Sequence, residues 1–75
     1  MKDLIEYIAV SLVDDVESVS VHEKRDRGVL VYMLNVNPDE TGRVIGKDGK
    51  VANAIRVLMR AANAKSGDHT ALKIM

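Results

Sequence analysis

Two glycines, Gly46 and Gly49, stand three residues apart between two segments that the sequence predicts to be helical. A turn with glycine at both ends lets the backbone approach another molecule without an intervening side chain. It also directs the N–H groups of the following helix's first turn toward that molecule, and those groups together with the helix dipole favour an anion. The chemistry expected of this segment is therefore the binding of a phosphate group.

The segments on both sides of the glycines carry helix signals. Asn37 can accept hydrogen bonds from the first turn, Pro38 suits the first helical position, and Glu40 can close a capping box. The second helix is predicted from Lys50 to about Lys65, where Ala, Leu, Met, Arg and Ile predominate. The glycine turn is therefore expected to link two helices.

The sequence Val44-Ile45-Gly46-Lys47-Asp48-Gly49 resembles the V-I-G-x-x-G signature of the KH domain, a module that binds single-stranded nucleic acid. The resemblance covers the whole chain, 1–75, as a single KH domain similar to the small stand-alone bacterial proteins of the KhpA family. Further matching segments are residues 1–9, 11–14, 37–49 and 54–65. One departure is Ala52, where many KH domains carry a larger aliphatic residue.

The resemblance implies a GxxG loop that clamps a short run of RNA backbone nucleotides. The glycines would allow close approach, Lys47 and Lys50 would supply positive charge, and Asp48 would oppose it. The predicted RNA-binding residues are Arg43, Val44, Ile45, Gly46, Lys47, Asp48, Gly49, Lys50, Val51 and Ile55, with Ala52 also on the apolar floor. For Val44 and Ile55, packing in the core is at least as good an interpretation.

Composition limits the class of protein. Seventy-five residues make one small domain, whose core supplies only about 3–5 kcal/mol. There is no cysteine, and the two histidines are isolated in the sequence, so neither a metal site nor a cofactor is predicted. No apolar run approaches the roughly 20 residues of a membrane span. A soluble, cytoplasmic protein with no membrane partner and no small-molecule substrate is expected.

The net charge is zero, but it is unevenly distributed. Residues 1–42 hold four basic and nine acidic side chains, a net of −5, whereas residues 43–75 hold seven basic and two acidic ones, a net of +5. The positive half contains the glycine turn. A local positive face that suits nucleic acid is therefore predicted in spite of the neutral total.

Hydrophobic periodicity predicts six elements. Helical spacing of apolar residues covers 2–13, alternation predicts a strand over 16–24, and residues 25–28 form a turn in which Gly28 takes a positive φ. A central strand is predicted over 29–36, then the two helices, a stop at Ser66-Gly67-Asp68, and a last strand over 70–74. The order is α-β-β-α-α-β.

This order predicts an α+β fold. The first two strands should pair antiparallel, and the last should lie parallel to the central one after a crossover. The result is a three-stranded mixed sheet with three helices on one face. The resemblance implies the same arrangement, since type II KH domains have this order.

Other chemistries find no support in the sequence. A phosphate-binding P-loop needs four residues between its glycines and Ser or Thr after the lysine, whereas Gly42 and Gly46 enclose three residues and Asp48 follows Lys47. The sheet aromatics of another RNA-binding fold are missing, because Tyr7 and Tyr32 are the only aromatic residues. No paired acid and base for catalysis is evident. A non-enzymatic, RNA-binding post-transcriptional regulator or RNA chaperone is predicted.

A protein-interaction module with weak nucleic-acid binding is the alternative. The resemblance implies pairing both with a second copy and with a larger KH-containing protein. On the second long helix, Val51, Ile55, Leu58 and Ala62 are predicted to face the sheet. An apolar shoulder beside them is the predicted homodimer interface, and its members are Ala54, Val57, Ala61 and Ala64.

Overall fold

The computed structural model describes residues 1–64, 67 and 69–75. The helices are α1 (Lys2–Val10), α2 (Thr41–Ile45) and α3 (Lys50–Asn63), and the strands are β1 (Ser20–Asp26), β2 (Val29–Asn35) and β3 (His69–Ile74). Short 3₁₀ turns cover Val16–Ser18, Pro38–Glu40 and Lys47–Gly49. The predicted order of elements is therefore confirmed.

Helix α1 ends three residues earlier than the periodicity predicts. Ser11 closes its last turn, because the Ser11 hydroxyl donates to the carbonyl of Tyr7 at 2.8 Å. Ile5 and Ala9 are fully buried against the sheet, and Val13 is buried as well although it lies beyond the helix. The apolar spacing continues past the helix end because the following loop also packs onto the core.

A tight hairpin joins β1 and β2. The antiparallel register runs from Ser20 opposite Asn35 to Asp26 opposite Val29, which leaves a two-residue turn. Gly28 has the predicted positive φ of 82°, and Arg27 also has a positive φ of 52°. Positive φ at both central residues is the geometry that matches the twist of a two-residue hairpin. The strand thus extends to residue 26.

The first strand begins later than the alternation predicts. Residues 16–18 form a 3₁₀ turn instead of extended backbone. The carboxylate of Asp15 accepts a hydrogen bond from the Ser18 hydroxyl and another from the Asn37 amide nitrogen. These hydrogen bonds compete with strand pairing, and the sheet begins only at Ser20.

Strand β2 is the centre of the sheet, whose order is β1-β2-β3. β3 pairs parallel to it, from Val29 opposite His69 to Leu34 opposite Ile74. The helices α2 and α3 form the crossover and pack on β3, whereas α1 packs on β1 and β2. The α+β fold with a three-stranded mixed sheet is confirmed.

The core lies between the helices and one face of the sheet. Its fully buried side chains come from α1, β2, α2 and α3, and the largest are Ile5, Leu34, Val44, Ile55 and Met59. Each such side chain contributes about 1.5–3 kcal/mol when it is removed from water. This layer fixes α2 and α3, and with them the glycine turn, on the sheet.

The end of α3 agrees with part of the predicted stop signal. Gly67 has a φ of 73°, and its N–H donates to the carbonyl of Asn63 at 3.1 Å, as at many helix ends. The predictions that fall on Lys65, Ser66 and Asp68 lie outside the described residues.

Within the residues described, no helix is long and apolar enough to cross a membrane. The same part of the chain holds no group of three or more His, Asp or Glu side chains placed to bind a metal ion.

Candidate nucleic-acid interface

The chain enters the site through a capped turn. The Asn37 side-chain oxygen accepts a hydrogen bond from the N–H of Asp39 at 3.0 Å, and Pro38 holds the first position, as predicted. The turn is 3₁₀ over Pro38–Glu40 and becomes α-helical from Thr41. Asn37 therefore starts the segment that carries the glycines.

The predicted capping box is wrong, because Glu40 bonds elsewhere. Its carboxylate accepts hydrogen bonds from the backbone N–H groups of Asp14 at 2.6 Å and Asp15 at 2.9 Å. Glu40 is only 8% exposed. The side chain ties the loop after α1 to the start of α2, and we call Asp14, Asp15 and Glu40 the acidic junction.

Arg43 is paired with carboxylates of the acidic junction and is not a free cation. Its guanidinium Nη1 lies 3.1 Å from the Asp14 carboxylate and 3.3 Å from that of Glu40. The Arg43 side chain is about half exposed. The predicted contact of Arg43 with RNA thus faces competition from two carboxylates.

The first glycine is required by the fold itself. Gly46 has φ 78° and ψ 172°, a conformation nearly confined to glycine. A Cβ atom there would lie 2.5 Å from Val51 Cγ2 and 2.9 Å from the Val51 backbone nitrogen. Gly46 therefore allows the start of α3 to pack against the end of α2, and this internal contact explains it without a ligand.

The second glycine faces open space. Gly49 has φ 76° and ψ 14°, and a Cβ atom added there would have nothing within 4 Å. Asp48, before it, also has a left-handed backbone with φ 58°. The two glycines thus differ: the surface of the turn is bare at Gly49, and that is where another molecule can come close to the backbone.

Some of the amides that the sequence offers to an anion are used within the turn. The N–H of Gly49 donates to the carbonyl of Gly46 at 3.2 Å, and the N–H of Lys50 donates to the carbonyl of Lys47. These two bonds make the 3₁₀ turn that links α2 to α3. The positive charge available to a phosphate therefore comes mainly from side chains.

Exposed cations surround the bare backbone. Lys47 and Lys50 are both exposed, and within the described residues no ion pair or hydrogen bond engages either side chain. Asp48 between them is exposed too. Farther along α3, Arg56 and Arg60 are exposed on one side of the helix. We call residues 46–50 the glycine loop, and its side chains carry a net charge of +1.

The predicted apolar floor is smaller than the sequence indicates. Val44 is 0% exposed and Ile55 is 2% exposed, so both belong to the core and offer no surface to a ligand. Ala52 is buried too. Ile45, at 37% exposure, and the half-buried Val51 remain at the surface beside the loop. The predicted contact with RNA at Val44 and Ile55 is therefore corrected to packing beneath the loop.

The buried stripe of α3 also differs from the prediction. Leu58 is 47% exposed and Ala62 is exposed, whereas Met59 is 1% exposed and faces the sheet. The buried residues of α3 are Ala52, Ile55 and Met59, so the helix is rotated relative to the predicted stripe. The predicted dimer residues, Ala54, Val57, Ala61 and Ala64, are all exposed.

Comparison with known families identifies the family of the chain. The family model described as the KH domain of KhpA and KhpB matches residues 2–74. The chain belongs to this family. The match spans all six elements and includes the glycine loop.

Curated relatives match over the full length of the chain. The proteins named RNA-binding protein KhpA from Oceanobacillus iheyensis and Clostridium perfringens are each 41% identical over 75 residues, which is 100% of this chain and 100% of theirs. The protein of the same name from Halalkalibacterium halodurans is 43% identical over 75 residues, 100% of this chain and 99% of its own. No solved structure gives a significant match.

Proposed function

We propose that this chain is a non-enzymatic, single-domain protein that binds short stretches of single-stranded RNA through the glycine loop. The observation that carries the proposal is the bare backbone at Gly49, where a Cβ atom would have nothing within 4 Å, between the exposed cations Lys47 and Lys50. The relatives named RNA-binding protein KhpA support the choice of RNA as the ligand.

The geometry favours a weak, backbone-directed grip. A phosphate can approach Gly49 closely while Lys47 and Lys50 neutralise its charge, and a base can lie against Ile45 and Val51. One such loop holds about four nucleotides. A small contact of this kind suits a cytoplasmic post-transcriptional regulator or RNA chaperone, which must bind and release many RNAs.

The test is a charge reversal in the loop. We expect Lys47→Asp to reduce the affinity for a short single-stranded RNA at least tenfold, because it places two neighbouring carboxylates at the phosphate site. The matched control is Lys2→Asp, which makes the same change on the exposed start of α1. Fluorescence anisotropy measures the affinity, and circular dichroism checks that both variants are folded.

Salt dependence provides an independent check on the size of the contact. About three phosphates, at roughly 0.7 counterions each, give a slope near 2 when the logarithm of Kd is plotted against that of salt concentration. Normal affinity in folded Lys47→Asp, or an affinity that salt does not change, would contradict the proposed site.

We also propose that two copies pair through α3, a pairing that brings two glycine loops into one particle. The supporting observation is a continuous exposed apolar flank that includes Val57, at 56% exposure, Leu58 and the predicted alanines. Small side chains let two helices approach closely. A larger KH-containing protein with a similar helix would use the same flank.

Sedimentation of the purified chain at tens of micromolar tests this pairing. We expect a dimer for the natural sequence and a folded monomer for Val57→Asp, because a carboxylate cannot be buried cheaply in an apolar interface. Tyr7→Asp is the matched control, since it puts the same charge on the exposed face of α1. A monomeric natural protein would refute the homodimer.

A further inference from the structure

The sheet has a second face that none of the three helices covers. The alternation of side chains along each strand places Tyr32 and Leu34 in the core, and therefore Val31 and Met33 on the opposite face. Val29, Val31 and Met33 are half-buried there, as is Ala71 of β3. This face is distinct from the glycine loop and from the exposed flank of α3.

The flanking strands give this face a positive charge. On β1, Lys24 lies opposite Val31 and His22 lies opposite Met33; on β3, Lys73 pairs with Met33. All three side chains are exposed. The two lysines thus stand on either side of an apolar stripe, about 10 Å apart across the sheet. We give the name cationic sheet face to the apolar stripe of Val29, Val31, Met33 and Ala71 together with His22, Lys24 and Lys73.

The described strands place one acidic side chain on this face, against two lysines. The chain has as many acidic as basic residues, yet Asp26 is the single acidic residue that the registers of the described strands place there. Glu23, although on β1, is opposite Tyr32 and so belongs to the helix-covered face. With Lys24 and Lys73 against Asp26, the side chains that the described strands place on this face carry a net charge of +1, and a face of that kind is complementary to a polyanion.

We propose that the cationic sheet face is a second contact surface for the same single-stranded RNA that the glycine loop holds. Lys24 and Lys73 contact phosphates, His22 donates hydrogen bonds, and the valines and Met33 give the bases an apolar surface. Aromatic side chains are absent from the described part of this face, so base stacking is weak and the contact is independent of sequence.

The fold allows one strand to reach both surfaces. Helices α2 and α3, which flank the glycine loop, pack on β3, and β3 is an edge strand of the sheet. Twelve stacked nucleotides extend about 40 Å at about 3.4 Å each, which exceeds the longest dimension of the molecule, 34 Å. An RNA of that length can leave the loop, pass around β3 and cover the sheet.

The inference rests on the proposed function, so its test uses two RNA probes of mixed sequence. A probe of about four nucleotides reports on the glycine loop alone, and a probe of about twelve nucleotides reports on both surfaces. We expect Lys24→Ser/Lys73→Ser to weaken binding of the long probe about fivefold and to leave the short probe unchanged. The salt slope for the long probe should fall by about 1.4, which corresponds to two phosphates.

A matched double variant separates position from total charge. Lys2→Ser/Arg25→Ser also removes two positive charges, one from α1 and one from the helix-covered face of β1, where Arg25 pairs with Leu30. This control should bind the long probe within about twofold of the natural protein. In an NMR titration, the backbone amides of residues 22–24, 31–33 and 71–73 should change their chemical shifts only when the long probe is used.

Each other outcome overturns the proposal. If the sheet variant binds the long probe as the natural protein does, the face does not contact RNA, and an acidic protein segment becomes its better occupant. Equal losses in both double variants would show a general effect of charge. If the natural protein binds neither probe, the proposed function fails together with this inference. If it binds the short probe normally and only the sheet face fails its test, the proposed function is preserved.

Discussion

The acidic junction and the glycine loop use their charges in opposite ways. At the junction, the carboxylates of Glu40 and Asp15 accept hydrogen bonds from other groups of the protein, and that of Asp14 forms an ion pair with Arg43. In the loop, Lys47 and Lys50 are exposed, and the described residues provide them with no partner. A neutral chain thus engages three of its eleven acidic side chains at the junction while it leaves the positive charge of the loop free for a ligand.

Substitutions in the two regions should therefore change different properties of the protein. Changes at the acidic junction should lower the free energy of unfolding, because the groups there satisfy one another. Changes at the exposed positions of the loop should act on RNA affinity, because those groups satisfy nothing inside the protein. Single substitutions in each region can therefore break or sharpen the division.

Glu40→Gln should have the largest effect on stability. Glu40 accepts hydrogen bonds from the backbone N–H groups of Asp14 and Asp15. In the glutamine variant, the side-chain amide nitrogen would face one of these two donors. Leaving a buried donor unpaired costs about 1–3 kcal/mol, and loss of the charge weakens the remaining bond. We expect the free energy of unfolding to fall by about 2–3 kcal/mol and Tm by about 10 °C or more.

Asp39→Asn is the control for this change, since Asp39 is an exposed neighbour of Glu40. It should alter the free energy of unfolding by no more than about 0.5 kcal/mol. Urea unfolding measures both variants, and RNA affinity is measured below the melting transition. A large loss of affinity in folded Glu40→Gln would remove the distinction between the two regions.

The two glycines should respond differently to alanine. Gly46→Ala puts a methyl group 2.5 Å from Val51 Cγ2, in a backbone conformation that alanine avoids, so stability should fall by about 2 kcal/mol. Gly49→Ala meets only left-handed strain of about 1 kcal/mol and has open space around the methyl group. Thermal unfolding measures both.

The two variants should rank in the opposite order when their loss of RNA affinity, rather than their loss of stability, is compared. The new methyl group of Gly49→Ala covers the bare backbone where a phosphate approaches, whereas that of Gly46→Ala points inward at Val51. At a temperature where both variants are folded, we expect the larger loss of affinity for Gly49→Ala. Equal losses of affinity would contradict the approach of a phosphate at Gly49, and no loss in either variant would mean that both glycines serve the fold alone.

The smallest predicted effect concerns Asp15. Its pKa is lowered, first by the hydrogen bond from the Ser18 side chain and then by that from Asn37. A lowered pKa in the folded state contributes stability above the unfolded-state value, and this contribution is lost as pH falls through the folded-state value. Ser18→Ala should raise the pKa of Asp15 toward its ordinary value of 3.8.

NMR titration of the Asp15 carboxyl carbon in acid measures this shift. Ser11→Ala is the control, because the Ser11 hydroxyl bonds to the Tyr7 carbonyl and to no carboxylate. An unchanged Asp15 pKa in Ser18→Ala would show that the hydrogen bond does not form in solution.

The sequence predicted the parts of the fold that depend on local signals. The cap at Asn37 and the positive φ at Gly28 each need only neighbouring residues, and the structure confirms them. The alternation is confirmed as a strand only from Ser20 onward, since residues 16–18 form a 3₁₀ turn. The family resemblance, which rested on the glycine loop and the residues around it, is confirmed as well.

What the sequence missed depends on distant contacts. Glu40 matches a local capping box, but its partners are 25 and 26 residues away, and no spacing rule indicates them. The same holds for Leu58 and Met59, because the packing of α3 in the core decides which of them is buried. In the site, the sequence could not distinguish the inward role of Gly46 from the exposed surface at Gly49.

The parallel pairing of β2 with β3 has a consequence for the order of folding. The β1–β2 hairpin closes over a two-residue turn, whereas Val29 meets His69, 40 residues later, only after both crossover helices are in place. Closing the longer loop costs more chain entropy, and contacts of high sequence separation form slowly. The glycine loop lies inside that crossover, so we expect it to become ordered after the hairpin, and we expect detachment of β3 to disrupt the loop before the hairpin.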